Sequence, residues 1–83
     1  MTAEELARLR WQCRRGMLEL DAILQPFFEK HFLSLSDVQQ HDFEQLLTSS
    51  DPALFSWFIG SVTPEDPKLV SIVEVIKHKI SVL

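Results

Sequence analysis

The chain of 83 residues contains only two glycines and one cysteine, and it has no long run of apolar residues. Gly16 and Gly60 lie far apart, which excludes a glycine-rich loop that cradles phosphate groups. Cys13 has no second cysteine to pair with, so an internal disulfide is excluded and a reducing compartment is favoured. A bilayer span needs about 20 apolar residues in succession. We therefore expect no membrane insertion.

The sequence also lacks any recognisable set of catalytic or metal-binding residues. Its three histidines are scattered, and no cysteine and histidine stand at the spacing of a zinc site. Glu19 and Asp21 are two residues apart, so on a helix their side chains point about 200° away from each other and cannot work as an acid–base pair. Cys13 falls on an apolar helical face, where a buried and unreactive thiol is expected. The sequence predicts neither an enzyme nor a metal site.

Basic residues are scarce in the middle of the chain. Residues 16–66 hold nine acidic residues against Lys30 alone, a net charge of −8, while the whole chain carries −4. Such a surface repels phosphates, whose attraction supplies most non-specific affinity for nucleic acids. Nucleic-acid binding is therefore disfavoured.

Glu4 and Glu5 argue against an acid-poor transit peptide, and a cytoplasmic protein is expected.

What the chain does contain is a series of helix signals. Thr2 with Glu5 and Ser36 with Gln39 have the spacing of capping boxes. Asp51-Pro52 and Asp66-Pro67 are typical of an N-cap followed by proline in the first turn. With 46% hydrophobic residues the chain is predicted to be ordered. We predict an all-α fold, a small single domain of residues 1–83 with five helices at roughly 3–14, 17–32, 37–48, 52–59 and 67–80.

Three features qualify these helices. Gly16 follows two arginines and is predicted to be the left-handed C′ residue that ends the first helix. Pro26 lies inside the second helix, where a kink or a break is expected. The last segment is rich in valine and isoleucine and also suits a strand, although a helix is preferred. The predicted buried faces of the third and fourth helices are Gln39, Phe43, Leu46 and Leu47, and Leu54, Phe55, Phe58 and Ile59.

The segment 14–21 has two possible interpretations. Arginines at a helix end, a glycine and then acids in the next first turn are ordinary capping chemistry. However, Arg14 and Arg15 are adjacent and point in different directions, although one cation suffices for the helix dipole. Trp11 departs from the apolar stripe of the first helix, and an exposed tryptophan beside arginine is typical of a binding hot spot. The second interpretation is therefore a docking surface for another protein.

Residues 11–21 read WQCRRGMLELD, which resembles the W-x-C-R-R-G-M-x-E-x-D signature of the FAD assembly factors of succinate dehydrogenase. The resemblance continues in PFF at 26–28, LSLSD at 33–37 and DPALFSW at 51–57. The R-G-x-x-E core alone is a weak signal, but four blocks in the same order along the chain form a strong one.

This resemblance implies a five-helix protein that binds the flavoprotein subunit of succinate dehydrogenase, and often that of fumarate reductase. It implies that the protein promotes covalent attachment of FAD to a histidine of that subunit and holds no cofactor itself. The family's working surface corresponds to Arg15, Gly16 and Glu19, flanked by Arg14 and Asp21, and we add Trp11 to this partner-binding set. Because no heptad seam is present, the free protein is expected to be a monomer.

Two rival functions remain open at this point. Members of the family have also been described as antitoxins, so a regulatory module that binds a toxin through the same surface is the alternative. Direct binding and transfer of FAD is a third hypothesis. It is disfavoured because the chain has no phosphate-binding loop and a mostly acidic surface.

Overall fold

The structure, a computed structural model, describes residues 1–80, and this part of the chain is all-helical without a strand. A 3-10 turn, Phe32–Ser34, directly follows the second helix. The last segment is a helix and not a strand, because its apolar residues recur at helical spacing and face the core. The five helices are α1 (Ala3–Gln12), α2 (Leu18–His31), α3 (Asp37–Leu46), α4 (Asp51–Ile59) and α5 (Pro67–Ile80).

Both predicted capping boxes are present. The Thr2 hydroxyl accepts from the Glu5 N–H at 3.1 Å, and Ser36 accepts from Gln39 at the same distance. At α4 the predicted cap is wrong by one residue. Ser50 is the N-cap and Asp51 the first helical residue, because the Ser50 hydroxyl takes the capping bond from the Ala53 N–H.

Several other boundaries also differ from the sequence prediction. α1 ends at Gln12 and α3 at Leu46, each two residues earlier than predicted, while α2 covers Leu18–His31 instead of 17–32. The last turns loosen because residues after each end make shorter-range bonds, such as the Arg14 N–H to the Trp11 carbonyl at 3.0 Å.

Pro26 does not break α2, which runs unbroken through it. Its ring is exposed, while Ile23, Leu24 and Phe27 are buried around it. A proline inside a helix removes one backbone hydrogen bond. Burial of the neighbouring apolar side chains offsets that loss, so tertiary packing keeps the helix intact.

The core is built around α2. Phe28 stacks on Phe32 with ring centroids 5.0 Å apart, and Phe27 lies 5.6 Å from Phe43 of α3. Leu54 and Phe58 of α4 are buried, whereas Ile59, which was predicted on the buried face, is exposed. Ile59 is the last residue of α4, beyond the stretch that the core covers. The largest fully buried side chains are Leu9, Leu20, Leu24, Phe27, Phe32, Phe43, Leu46, Leu54, Phe58, Ile72 and Ile76.

The described helices are also short. None within residues 1–80 combines the length and the apolar character that crossing a bilayer requires.

Cys13 has no exposed surface, and burial raises the pKa of its thiol from 9.0 to about 12. Arg15 and Arg10 favour the thiolate, but burial outweighs them. We predict that a maleimide at neutral pH modifies Cys13 far more slowly in the native protein than in urea, as mass spectrometry will measure. The chain has one cysteine, so the adduct reports on Cys13 alone.

The same pKa shift has a consequence for stability. The neutral buried thiol stabilises the fold fully below pH 9.0, and this contribution is lost as the pH rises towards about 12.

The maleimide measurement has a clear negative outcome. If Cys13 reacts with maleimide as fast in the native protein as in urea, the side chain is not buried.

Candidate functional site

The connection between α1 and α2, residues 13–17, forms a turn that we call the elbow. Cys13 is the C-cap of α1 and keeps a right-handed conformation. Gly16 has φ of +79°, so the predicted left-handed glycine is present. It lies two residues beyond the C′ position, however, because α1 ends early. A Cβ at Gly16 would meet no atom within 4 Å, so the backbone conformation, not space, requires glycine here.

Arg15 is the centre of the contacts that hold the elbow. Its Nε donates to Asp51 Oδ1 at 2.8 Å, and its Nη2 donates to the Ser49 carbonyl at 2.8 Å. Its Nη1 donates to the carbonyls of Leu47 at 2.9 Å and Gln12 at 3.2 Å. The side chain is only 15% exposed. Arg15 therefore joins the end of α1 to the α3–α4 loop and to the first residue of α4.

Asp21 completes this arrangement from α2. Its Oδ1 accepts from the Arg15 backbone N–H at 2.7 Å, so the carboxylate ties the first turns of α2 to the elbow. Arg15 and Glu19 are four residues apart and could pair only on a continuous helix. The helix is interrupted at the elbow, and Arg15 pairs with Asp51 instead. Arg15 and Asp21 thus both make contacts inside the molecule.

Arg14 behaves differently from its neighbour. It is exposed, and its guanidinium lies over the Trp11 ring, 5.8 Å from the ring centroid. Trp11 is 70% exposed, in agreement with its predicted position off the apolar stripe. A guanidinium at this distance has a weak cation–π attraction to the indole. The pair presents an aromatic and a cationic group together on the surface.

The first turn of α2 adds two exposed side chains. Leu18 is 80% exposed, the largest fraction among the exposed apolar residues of the structure. Glu19 is exposed and has no hydrogen bond or ion pair with any residue in the described range 1–80. The sequence interpretation missed Leu18. Its position one residue outside the apolar periodicity of α2 was the signal that could have found it.

Five exposed residues therefore lie in the elbow or within two residues of it, and we call this set the elbow face. It comprises Trp11, Arg14, Gly16, Leu18 and Glu19. Four of the six residues predicted from the sequence belong to it, while Arg15 and Asp21 lie behind it as its support. Asp51, which the sequence did not single out, belongs to that support. No local pattern links Asp51 to Arg15, since they are 36 residues apart.

The arrangement suits binding better than catalysis. Within residues 1–80 no group of three histidine, cysteine or acidic side chains could hold a metal ion. Burial raises the pKa of Cys13 to about 12, which suppresses the thiolate that a nucleophile needs. The elbow face instead combines an aromatic ring, an aliphatic side chain and charges of both signs on two helices, the mixture that dominates protein–protein interfaces.

Comparisons with known proteins point in one direction. Residues 7–80 match the family described as flavinator of succinate dehydrogenase, Sdh5. The chain is 48% identical to the FAD assembly factor SdhE of Photobacterium profundum, over all of this chain and 96% of that protein. It is also 48% identical to the FAD assembly factor SdhE of Vibrio cholerae, over 96% of this chain and 94% of the relative.

A solved structure agrees with these matches. The solution structure of a UPF0350 protein superposes with a TM-score of 0.79 at 49% identity, and it covers 98% of this chain and 87% of that one.

The adjacent arginines provide a matched test of the elbow's support. We predict that Arg15→Ala lowers the free energy of unfolding by about 2–3 kcal/mol, because it leaves partly buried carbonyls and Asp51 without their charged donor. Arg14→Ala should cost less than about 1 kcal/mol, since only an exposed ring contact is lost. Urea denaturation followed by circular dichroism measures both. Equal losses in the two variants would show that Arg15 is not the support.

Proposed function

The chain belongs to the flavinators of succinate dehydrogenase, the FAD assembly factors, and we propose that it binds the flavoprotein subunit of that enzyme through the elbow face and promotes covalent attachment of FAD. The observation that carries this proposal is the exposed Glu19, which lacks a partner within residues 1–80, on a face held from behind by Arg15. The fumarate reductase flavoprotein is proposed as a second client.

Each exposed residue has a distinct role in this docking. Trp11 and Leu18 offer apolar area at low entropic cost, as is usual at the centre of an interface. Arg14 supplies forked donors to carboxylates or carbonyls of the partner. Glu19 accepts a charged donor from the partner, and Gly16, with open space around it, allows close approach of the partner's backbone.

The proposed contribution to flavin attachment is alignment and not chemistry. The bond forms between a histidine of the client and the flavin, so the reacting groups belong to the client and its cofactor. A bound helper that holds the client's domains in the reactive arrangement lowers the barrier, since alignment of reacting groups can be worth several kcal/mol. We propose that the chain holds no cofactor and acts as a monomer.

Arg15 and Asp21 take a supporting part in this proposal. The donors of Arg15 are used within the molecule, so Arg14 is the better candidate for contact with the partner. Because a preorganised face loses little freedom on binding, the support increases affinity without touching the client.

The docking role of Glu19 can be tested in cells. In a strain that lacks the gene, we predict that Glu19→Ala restores much less covalent flavin on the succinate dehydrogenase flavoprotein than wild type does, because the charged anchor is lost. In-gel flavin fluorescence measures this. Glu19 lies in the first turn of α2, so its loss should cost no more than about 1 kcal/mol of stability.

Glu74→Ala is the matched control, since Glu74 is an exposed acid on α5, outside the elbow face. It should restore flavin fully. Unchanged fluorescence in the deletion strain itself would remove the proposed function and favour the antitoxin alternative, which none of the matched names above supports. A large loss of stability in Glu19→Ala would indicate that the carboxylate mainly stabilises the first turn of α2.

Direct binding of FAD is a separate question with a separate test. We predict that calorimetric titration of free FAD into the purified protein gives no saturable heat, because an acidic surface and the lack of a phosphate loop oppose a dinucleotide. Lysozyme at equal concentration serves as a baseline for non-specific heat. Saturable binding at micromolar FAD would revive the hypothesis of direct transfer.

A further inference from the structure

A polar pocket of about 260 Å³ lies beside the α3–α4 loop. Its walls come from α3, from the α3–α4 loop and from the start of α5. Asp42 and Gln45 line it from α3, Ser49 from the loop, and Asp66 and Lys68 from the α5 side. None of these residues belongs to the elbow face, so the pocket is a second feature of the surface.

Asp42 is the unusual member of this pocket. It is the buried charged residue of the structure, with an exposed fraction of 7%. Its carboxylate makes no hydrogen bond or ion pair with another residue in the described part of the chain. None of the fully buried side-chain oxygens of residues 1–80 lacks a hydrogen-bond partner, so the Asp42 oxygens reach solvent, and they do so at the pocket. A donor that enters the pocket can therefore pair with this carboxylate.

The neighbouring charges leave this carboxylate uncompensated. Asp66 Oδ1 accepts from the Lys68 backbone N–H at 2.9 Å, so Asp66 is anchored with its second oxygen available. The Lys68 ammonium forms no ion pair with a described residue, and His41 is an exposed residue at the rim. Two carboxylates therefore face the pocket against one lysine. A ligand that carries positive charge and several donors fits this arrangement.

The pocket is joined to the support of the elbow face through Ser49. The Ser49 carbonyl accepts from Arg15 at 2.8 Å, and the same residue lines the pocket. A protein that contacts the elbow face is thus close to the pocket across one short loop. The surrounding segment, residues 16–66, has a net charge of −8, which favours approach of a basic surface.

We infer that this pocket receives an arginine side chain of the partner protein, with its guanidinium paired to Asp42 and Asp66. A guanidinium carries five donors in a planar fork and loses its hydration more easily than an ammonium, so it suits two carboxylates and a hydroxyl better than lysine does. A metal ion is a poorer occupant, because no group of three histidine, cysteine or acidic side chains among residues 1–80 could hold one. This inference rests on the proposed function, since the partner is the client flavoprotein.

The pocket can be tested without the client. N-acetyl-arginine methylamide should shift the backbone amide signals of Gln45, Thr48, Ser49 and Leu69 saturably in NMR titrations of the full chain. The citrulline analogue has nearly the same shape without the charge and should not shift them. Asp42→Asn should abolish the response, while Asp37→Asn, which removes the same charge from the same helix, should keep it. Equal shifts with both ligands, or no shifts, would overturn the inference.

The melting temperature of the Asp42→Asn variant provides a second test of the pocket. Because the Asp42 carboxylate makes no hydrogen bond or ion pair with another residue in the described part of the chain, Asp42→Asn removes no such contact. It should leave the melting temperature nearly unchanged while it weakens binding. If Asp42→Asn fails to fold, Asp66→Asn is the substitute, since the amide oxygen can still accept from Lys68.

Binding to the purified flavoprotein subunit then separates the two proposals. Asp42→Asn should weaken affinity about tenfold or more, as expected for loss of a charged hydrogen bond. If Glu19→Ala weakens binding and Asp42→Asn does not, the pocket inference is overturned and the proposed function stands. If wild type itself does not bind the flavoprotein but responds to the arginine amide, the proposed function fails and the pocket remains.

Discussion

The guanidinium of Arg15 links parts of the chain that are far apart in sequence and that otherwise meet through the apolar core. It donates to the end of α1, to two carbonyls after α3 and to the first residue of α4. Its own backbone N–H is held by Asp21 of α2. Four helices are therefore oriented around one residue. The Gln12 and Leu47 carbonyls that accept from Arg15 lie at helix ends, where carbonyls lack partners within their own helices and would otherwise need water.

These contacts explain why two adjacent arginines have different roles, one inside the molecule and one at its surface. Within the elbow Gly16 adopts a left-handed conformation, between the end of α1 and the start of α2. Arg15 points to the α3–α4 loop, while Arg14 stays at the surface over Trp11. The backbone under the elbow face is consequently held by hydrogen bonds, although the face itself consists of exposed residues. A rigid exposed face is suited to a protein whose proposed task is to hold a larger partner in one arrangement.

The acidic residues also fall into two groups, those that are paired within the molecule and those that have no partner in the described part of the chain. Asp21 and Asp51 have donors within the molecule, whereas Glu19 and Asp42 have none within residues 1–80. Of these two unpaired residues, Glu19 is exposed and Asp42 lines the pocket. Charges that lack internal partners are the ones that a partner protein can satisfy, and both proposals rest on this difference.

The sequence alone determined the all-helical class, the two capping boxes, the burial of Cys13 and the exposure of Trp11. These follow from short-range spacing, because capping and helical periodicity involve residues three or four apart. The resemblance across four blocks also identified the family that the comparisons then showed. Tertiary structure decided that Pro26 leaves α2 intact, since burial on either side outweighs one lost bond. It decided that Ile59 is exposed and Ser50 caps α4. It also turned Arg15 inward, because Asp51 and the α3–α4 loop reach it only in the folded chain, and it placed the Asp21 carboxylate against the Arg15 backbone N–H.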